Sequence, residues 1–176
     1  MNIYLIGMSG CGKSKTAKYL RDEKGYKMID LDSYIEETSN ESIESIMKNG
    51  IEYFRKLEHK FLKEISEKND NLIIACGGGI ITYNQNKEIM KKGLTIFLNA
   101  SVQLIEKHLE SSTTVRPLLK VKTVGELYQE RISLYYEFAD KVIEYKDYIQ
   151  AGNEIDNMIN HIKIPITRNT YTFVYY

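Results

Sequence analysis

The chain has 176 residues, 43% of them hydrophobic, and its 24 Lys and Arg balance its 24 Asp and Glu. That length fits one domain able to bury about 70% of its unfolded surface, and the even charge offers no footprint for a nucleic-acid or membrane-surface partner. No apolar run is of transmembrane length, no secretory signal is read ahead of the first motif, and two cysteines, Cys11 and Cys76, make no disulfide framework, so a cytoplasmic protein is expected.

Asn2-Ile3-Tyr4-Leu5-Ile6 reads as a buried strand. Gly7-Met8-Ser9-Gly10-Cys11-Gly12-Lys13-Ser14 follows at once and fits G-x-x-x-x-G-K-[ST], a phosphate-binding loop. Residues 13–21 continue as a helix. Strand, glycine loop and helix N-terminus in that order form an anion site, because backbone N–H groups and the helix dipole converge there. Gly10, Cys11, Gly12, Lys13, Ser14 and Lys15 are the expected ATP contacts. Lys13 is placed to reach the β- and γ-phosphates, and the Ser14 hydroxyl to ligate Mg²⁺. A glycine-rich turn that binds nothing is the bland alternative, and the strand before it and the helix after it speak against that.

A second strand over 27–29 runs into Asp30-Leu31-Asp32. On an extended chain these carboxylates point the same way, so one suits Mg²⁺, directly or through water, and the other an acceptor hydroxyl. The competing reading makes Asp32 the N-cap of a short helix. The spacing predicts helix over 41–67, carrying Glu52-Tyr53-Phe54-Arg55 and Glu58. A third strand, 72–75, leads into Cys76-Gly77-Gly78-Gly79, where backbone must approach something closely. Helix over 84–92, strand over 94–98 and helix over 102–109 come next. The polar stretch 111–122 holds Arg116-Pro117-Leu118-Leu119, a cation on a loop suited to close over phosphate. A helix over 124–139 carries Arg131, and strand 141–145 and helix 153–162 complete the series.

Alternating strands and helices predict a three-layer α/β/α fold around a five-stranded parallel sheet, with ligands at the carboxyl ends of the strands. Residues 1–163 are read as one kinase-type domain, with a substrate-binding insert at about 33–60 and a lid at about 111–122. The tail 164–176 has strand composition and no assigned place. His59, His108 and His161 are scattered, without metal-ligand spacing, and are read as surface or partly buried; the cysteines are read as small buried thiols.

In these residues the chain resembles the bacterial shikimate kinases, from Asn2 to about Ile162. The phosphate loop, Asp30-Leu31-Asp32, Glu52-Tyr53-Phe54-Arg55 with Glu58, Gly77-Gly78-Gly79, Arg116-Pro117-Leu118-Leu119, and Arg131 with Leu134-Tyr135 stand in the family's order. The resemblance implies transfer of the γ-phosphoryl of ATP to the 3-hydroxyl of shikimate, with Mg²⁺, by a monomer, on the route to chorismate and the aromatic amino acids. It implies that Asp32 holds the shikimate hydroxyls and acts as base, and that Asp30 lies near Mg²⁺. Arg55 and Arg131 would grip the carboxylate, Gly78 would contribute backbone, with Gly77 and Gly79 beside it, and Arg116 would approach the phosphates. Lys13, Asp32 and Arg116 are thus the implied catalytic groups.

The chain departs from that family at Lys15, where a second hydroxyl is usual, and at Ser133, where proline is common. It also has Leu109, after Lys107-His108, where a basic residue is common. A gluconate or nucleoside monophosphate kinase fits the two arginines and the triple glycine less well. A guanine-nucleotide switch lacks its Asn-Lys-x-Asp, since Asn86-Lys87 runs into Glu88-Ile89.

Overall fold

In the computed structural model, which describes residues 1–112 and 121–162, five short strands lie side by side. They are β1 (Ile3–Ile6), β2 (Lys27–Asp30), β3 (Leu72–Ala75), β4 (Leu94–Asn99) and β5 (Lys141–Glu144). All neighbours pair in parallel, in the order β2-β3-β1-β4-β5. The inner strands β1 and β3 are buried along their whole length, so they read as unbroken apolar runs rather than alternating ones. The edge strands β2 and β5 keep charged or partly exposed residues.

Eight helices join the described strands: α1 (Lys13–Lys24), α2 (Leu31–Ser39), α3 (Ile43–Ile46), α4 (Ile51–Lys68), α5 (Asn86–Met90), α6 (Val102–Glu110), α7 (Val124–Phe138) and α8 (Tyr148–His161). Helices α1 and α8 pack on each other, while α4 packs on α5 and α6 on α7. Right-handed crossovers put these two groups on opposite faces of the sheet, which gives the three layers expected. The chain leaves β1 toward β2 and leaves β3 toward β4. The carboxyl ends of the central strands therefore sit at a reversal of direction, where open α/β sheets form a crevice.

Several boundaries differ from the sequence reading. The helix expected over 41–67 is broken into α3, a 3-10 turn at Met47–Asn49, and α4. The break lies at Gly50, with φ 103° and ψ 150°, a region essentially closed to residues with a β-carbon. Helix α8 begins at Tyr148, earlier than expected, because Asp147 accepts hydrogen bonds from the N–H groups of Ile149 and Gln150 at 2.9 and 2.8 Å. Helix α1 runs on to Lys24, where Gly25 at φ 75° ends it, and α5 is shorter than 84–92. Most of the lid at 111–122, Arg116 included, and the tail 164–176 lie outside the described residues.

Gly50 makes a clean test of this break, since nothing lies within 4 Å of where its β-carbon would be. Gly50→Ala should lower unfolding free energy by about 1 to 3 kcal/mol through backbone strain alone, measured by urea titration. A variant as stable as the parent would show that α4 starts elsewhere.

Candidate active site

The loop after β1 ends at Gly12, which begins α1 at φ 105° with no side-chain cap. Helices α2, α6, α7 and α8, by contrast, are capped by Asp30, Ser101, Thr123 and Asp147. The first N–H groups of α1 therefore stay available to an anion. Lys13 is buried, and its Nζ donates to the carbonyls of Gly7 and Met8, each at 2.8 Å. Its ammonium is thus held at the mouth of the loop. Ser14 and Lys15 are exposed, and the Ser14 hydroxyl donates to the Asp30 carboxylate. Cys11 and Cys76 are buried free thiols, as expected.

The two aspartates are placed differently from the extended pair expected. Strand β2 stops at Asp30, and Leu31 already belongs to α2. Asp30, not Asp32, is the N-cap: its Oδ1 accepts from the Ser33 N–H at 3.3 Å. Asp32 lies in the first turn of α2 and turns into the site, partly buried. Its carboxyl is pushed up to about 7, first by burial and then by the charges of Glu58 and Asp30, against the pull of Lys13 and Arg55.

Helix α4 supplies the facing wall. Arg55 Nη1 pairs with Glu58 Oε2 at 2.7 Å, and both side chains are almost wholly out of water. Burial pushes the Glu58 carboxyl up, opposed by Arg55 and Arg131. Arg55 Nε and Glu58 Oε1 have no hydrogen-bond partner among the described residues. The triple glycine after β3 makes room for this pair. A β-carbon on Gly79 would lie 1.9 Å from Arg55 Nη2, and one on Gly77 would lie 2.5 Å from Glu58 Oε1 and 2.9 Å from Asp32 Oδ1. From α7, Arg131 Nη1 donates to the Gly78 carbonyl at 3.2 Å, and the Tyr135 hydroxyl donates to the same oxygen.

These groups surround a cavity of about 480 Å³, within the usual range for small-molecule sites. Gly10, Lys13, Ser14, Asp30, Asp32, Arg55, Gly77, Gly78, Gly79 and Arg131 all line it. Among the sequence-derived site residues, Cys11, Gly12 and Lys15 do not line it. Glu58 also lines it, although the sequence reading gave it no role. Its signal was present, because a carboxylate three residues after Arg55 shares that helix face. Tyr135 follows Arg131 by one helical turn in the same way. Among the described residues no cluster of three or more His, Cys, Asp or Glu could hold a metal. The touching oxygens of Ser14 and Asp30 fit a cation that takes its remaining ligands from phosphate and water, the habit of Mg²⁺.

A phosphate loop at the reversal point of a parallel sheet, facing carboxylates and two buried guanidinium groups, defines a phosphate-loop kinase for a small acceptor. A family model described as shikimate kinase matches residues 9–163. A shikimate kinase of Clostridium botulinum is 38% identical over 95% of this chain and 98% of its own. One from Prochlorococcus marinus is 40% identical over 90% of this chain and 80% of its own. Among solved structures, the shikimate kinase of Acinetobacter baumannii in complex with shikimate superposes with a TM-score of 0.84 at 30% identity, over 93% of this chain and 94% of that one. The chain belongs to the shikimate kinase family and is an ATP-dependent kinase.

The raised Asp32 carboxyl has a stability consequence. Between the ordinary carboxyl range and about pH 7, the folded protein keeps a proton that the unfolded chain releases. Stability therefore falls as pH rises through that window, by at most about 4 kcal/mol. Asp32→Asn removes this loss. Its gain in melting temperature over the parent, without ligands, should grow from pH 4 to pH 8. An equal gain at both pH values would count against a carboxyl titrating near 7.

Proposed function

We propose a division of labour in this cavity for the reaction of the shikimate kinase family, transfer of the γ-phosphoryl group of ATP to the 3-hydroxyl of shikimate. The observation that carries it is the placing of Arg55 and Arg131 around Gly78 and Gly79, in the same cavity as the phosphate loop. Shikimate is a small carboxylate with three hydroxyls. A planar guanidinium pairs with a carboxylate in two-pronged fashion, which an ammonium cannot do. Arg55 and Arg131 take the carboxylate, and the backbone of Gly77, Gly78 and Gly79 borders the ring. Asp32 accepts a hydrogen bond from the reacting hydroxyl and takes its proton as the phosphoryl group arrives. Its proximity to neutrality suits that exchange.

The open N–H groups of α1 hold the phosphates together with the Lys13 ammonium, which has a third N–H beside those given to the Gly7 and Met8 carbonyls. Ser14 and Asp30 hold Mg²⁺, which offsets phosphate charge when bound. Arg116 is assigned to the phosphates by its motif alone. The assigned state is a monomer, and free buried thiols suit the cytoplasm. ADP release measured with shikimate, gluconate, AMP or no acceptor tests the reading. Turnover with gluconate or AMP but not with shikimate would overturn it.

The guanidinium assignments need a variant that keeps the Arg55 charge beside Glu58. Arg55→Ala would strand Glu58 without its counter-charge, a fault worth about 3 to 5 kcal/mol of stability. Gly79→Ala instead displaces the Arg55 fork while keeping the charge. Gly79→Ala and Arg131→Ala should each raise the KM for shikimate about ten- to a hundredfold, with the KM for ATP nearly unchanged. Arg55→Lys should remain impaired. Equal loss toward both substrates in steady-state kinetics would reject the carboxylate role.

A further inference from the structure

An anion-binding loop works only if its carbonyl oxygens point elsewhere, because they repel the phosphate that the N–H groups attract. Four loop carbonyls have traceable partners. Gly7 and Met8 accept from Lys13 Nζ, each at 2.8 Å, and Gly12 accepts from the Thr16 N–H at 2.9 Å. These partners belong to the same loop and helix. Gly10 is different: its carbonyl lies 2.8 Å from His108 Nδ1, across 98 residues of chain. A carbonyl only accepts, so this nitrogen carries the hydrogen.

We propose that His108 is a positioning residue of the phosphate loop, fixing the Gly10–Cys11 peptide with its carbonyl turned away from the anion site. Gly10 sits at φ 85° and has no side chain to restrain it; inside the loop its following peptide is held by one hydrogen bond, from the Cys11 N–H to the Met8 carbonyl at 3.1 Å, and His108 adds the hold on its oxygen. His108 does not line the cavity, whereas Gly10 does, so the hydrogen bond draws the oxygen outward. The imidazole is itself braced. Tyr145 meets its ring edge-on at 6.3 Å, and the Tyr145 hydroxyl fills the place where a Gly12 β-carbon would be. The neighbouring Leu109 side chain packs 3.1 Å from a β-carbon position on Gly10. The end of α6 thus grips the loop from behind. Leu109 makes an apolar contact with the loop, and the N–H donor sits one residue earlier.

The proposal rests on the loop being the ATP site, so the test reads nucleotide binding apart from acceptor chemistry. MgADP binding is measured by calorimetry, with steady-state KM values alongside. His108→Phe keeps a ring against Tyr145 and removes the donor. His108→Asn puts an N–H on the atom equivalent to Nδ1. The Phe variant should bind MgADP about tenfold more weakly and raise the KM for ATP by a similar factor, with the KM for shikimate unchanged. The Asn variant should recover most of that loss. His108→Leu serves the same comparison if the Phe variant does not fold. Parental MgADP affinity in the Phe variant, equal impairment of Phe and Asn variants, or an equal rise in the KM for shikimate overturns the proposal. A parent protein that binds no MgADP overturns it together with the ATP-site reading, whereas acceptor failure with intact MgADP binding and the predicted variant pattern leaves it standing.

Discussion

The site is organised around one buried ion pair. Arg55 and Glu58 sit three residues apart on α4 with their charged ends almost wholly out of water. Such a pair offsets its desolvation only when its remaining hydrogen-bonding atoms are satisfied. Here one contact is made, and Arg55 Nε and Glu58 Oε1 are left without partners among the described residues. The surroundings follow from that. A β-carbon at position 77 or 79 would fall on these very groups and force them to shift. Arg131 adds positive charge from the opposite helix, and burial, then the charges of Glu58 and Asp30, raises the Asp32 carboxyl. A polar cluster left incomplete among the described residues is one that a carboxylate and hydroxyls from outside can complete, at some expense of stability in the free protein.

How far the sequence disclosed this depended on how local each feature is. The phosphate loop was legible because its strand, glycines and helix follow one another within a few residues. The strands were legible because a sheet covered on both faces demands unbroken apolar runs. The aspartates were found, but the helix N-cap weighed for Asp32 falls to Asp30. Asp30 caps, because β2 ends at Asp30 and α2 begins at Leu31, so the extended pair expected over Asp30-Leu31-Asp32 does not form. The break before α4 was hidden by apolar spacing that runs through it, although Asn49-Gly50 is a turn signal. Contacts such as His108 with Gly10, or Tyr135 with Gly78, were beyond reach, since spacing along the chain does not say which loops meet at the end of a sheet.

The sheet order also decides how the two halves of the site are anchored. The phosphate loop leaves β1, which has β3 on one side and β4 on the other. The aspartates stand where β2 gives way to α2, and among the described strands β2 is an edge, paired with β3. Edge elements open at a lower free energy than central ones. Fraying of β2 and α2 would carry Asp30 and Asp32 away and leave the phosphate loop standing. Heat inactivation would then begin as a local event, ahead of global melting, and an acceptor bound to Asp32 would act as the clasp that holds the edge closed.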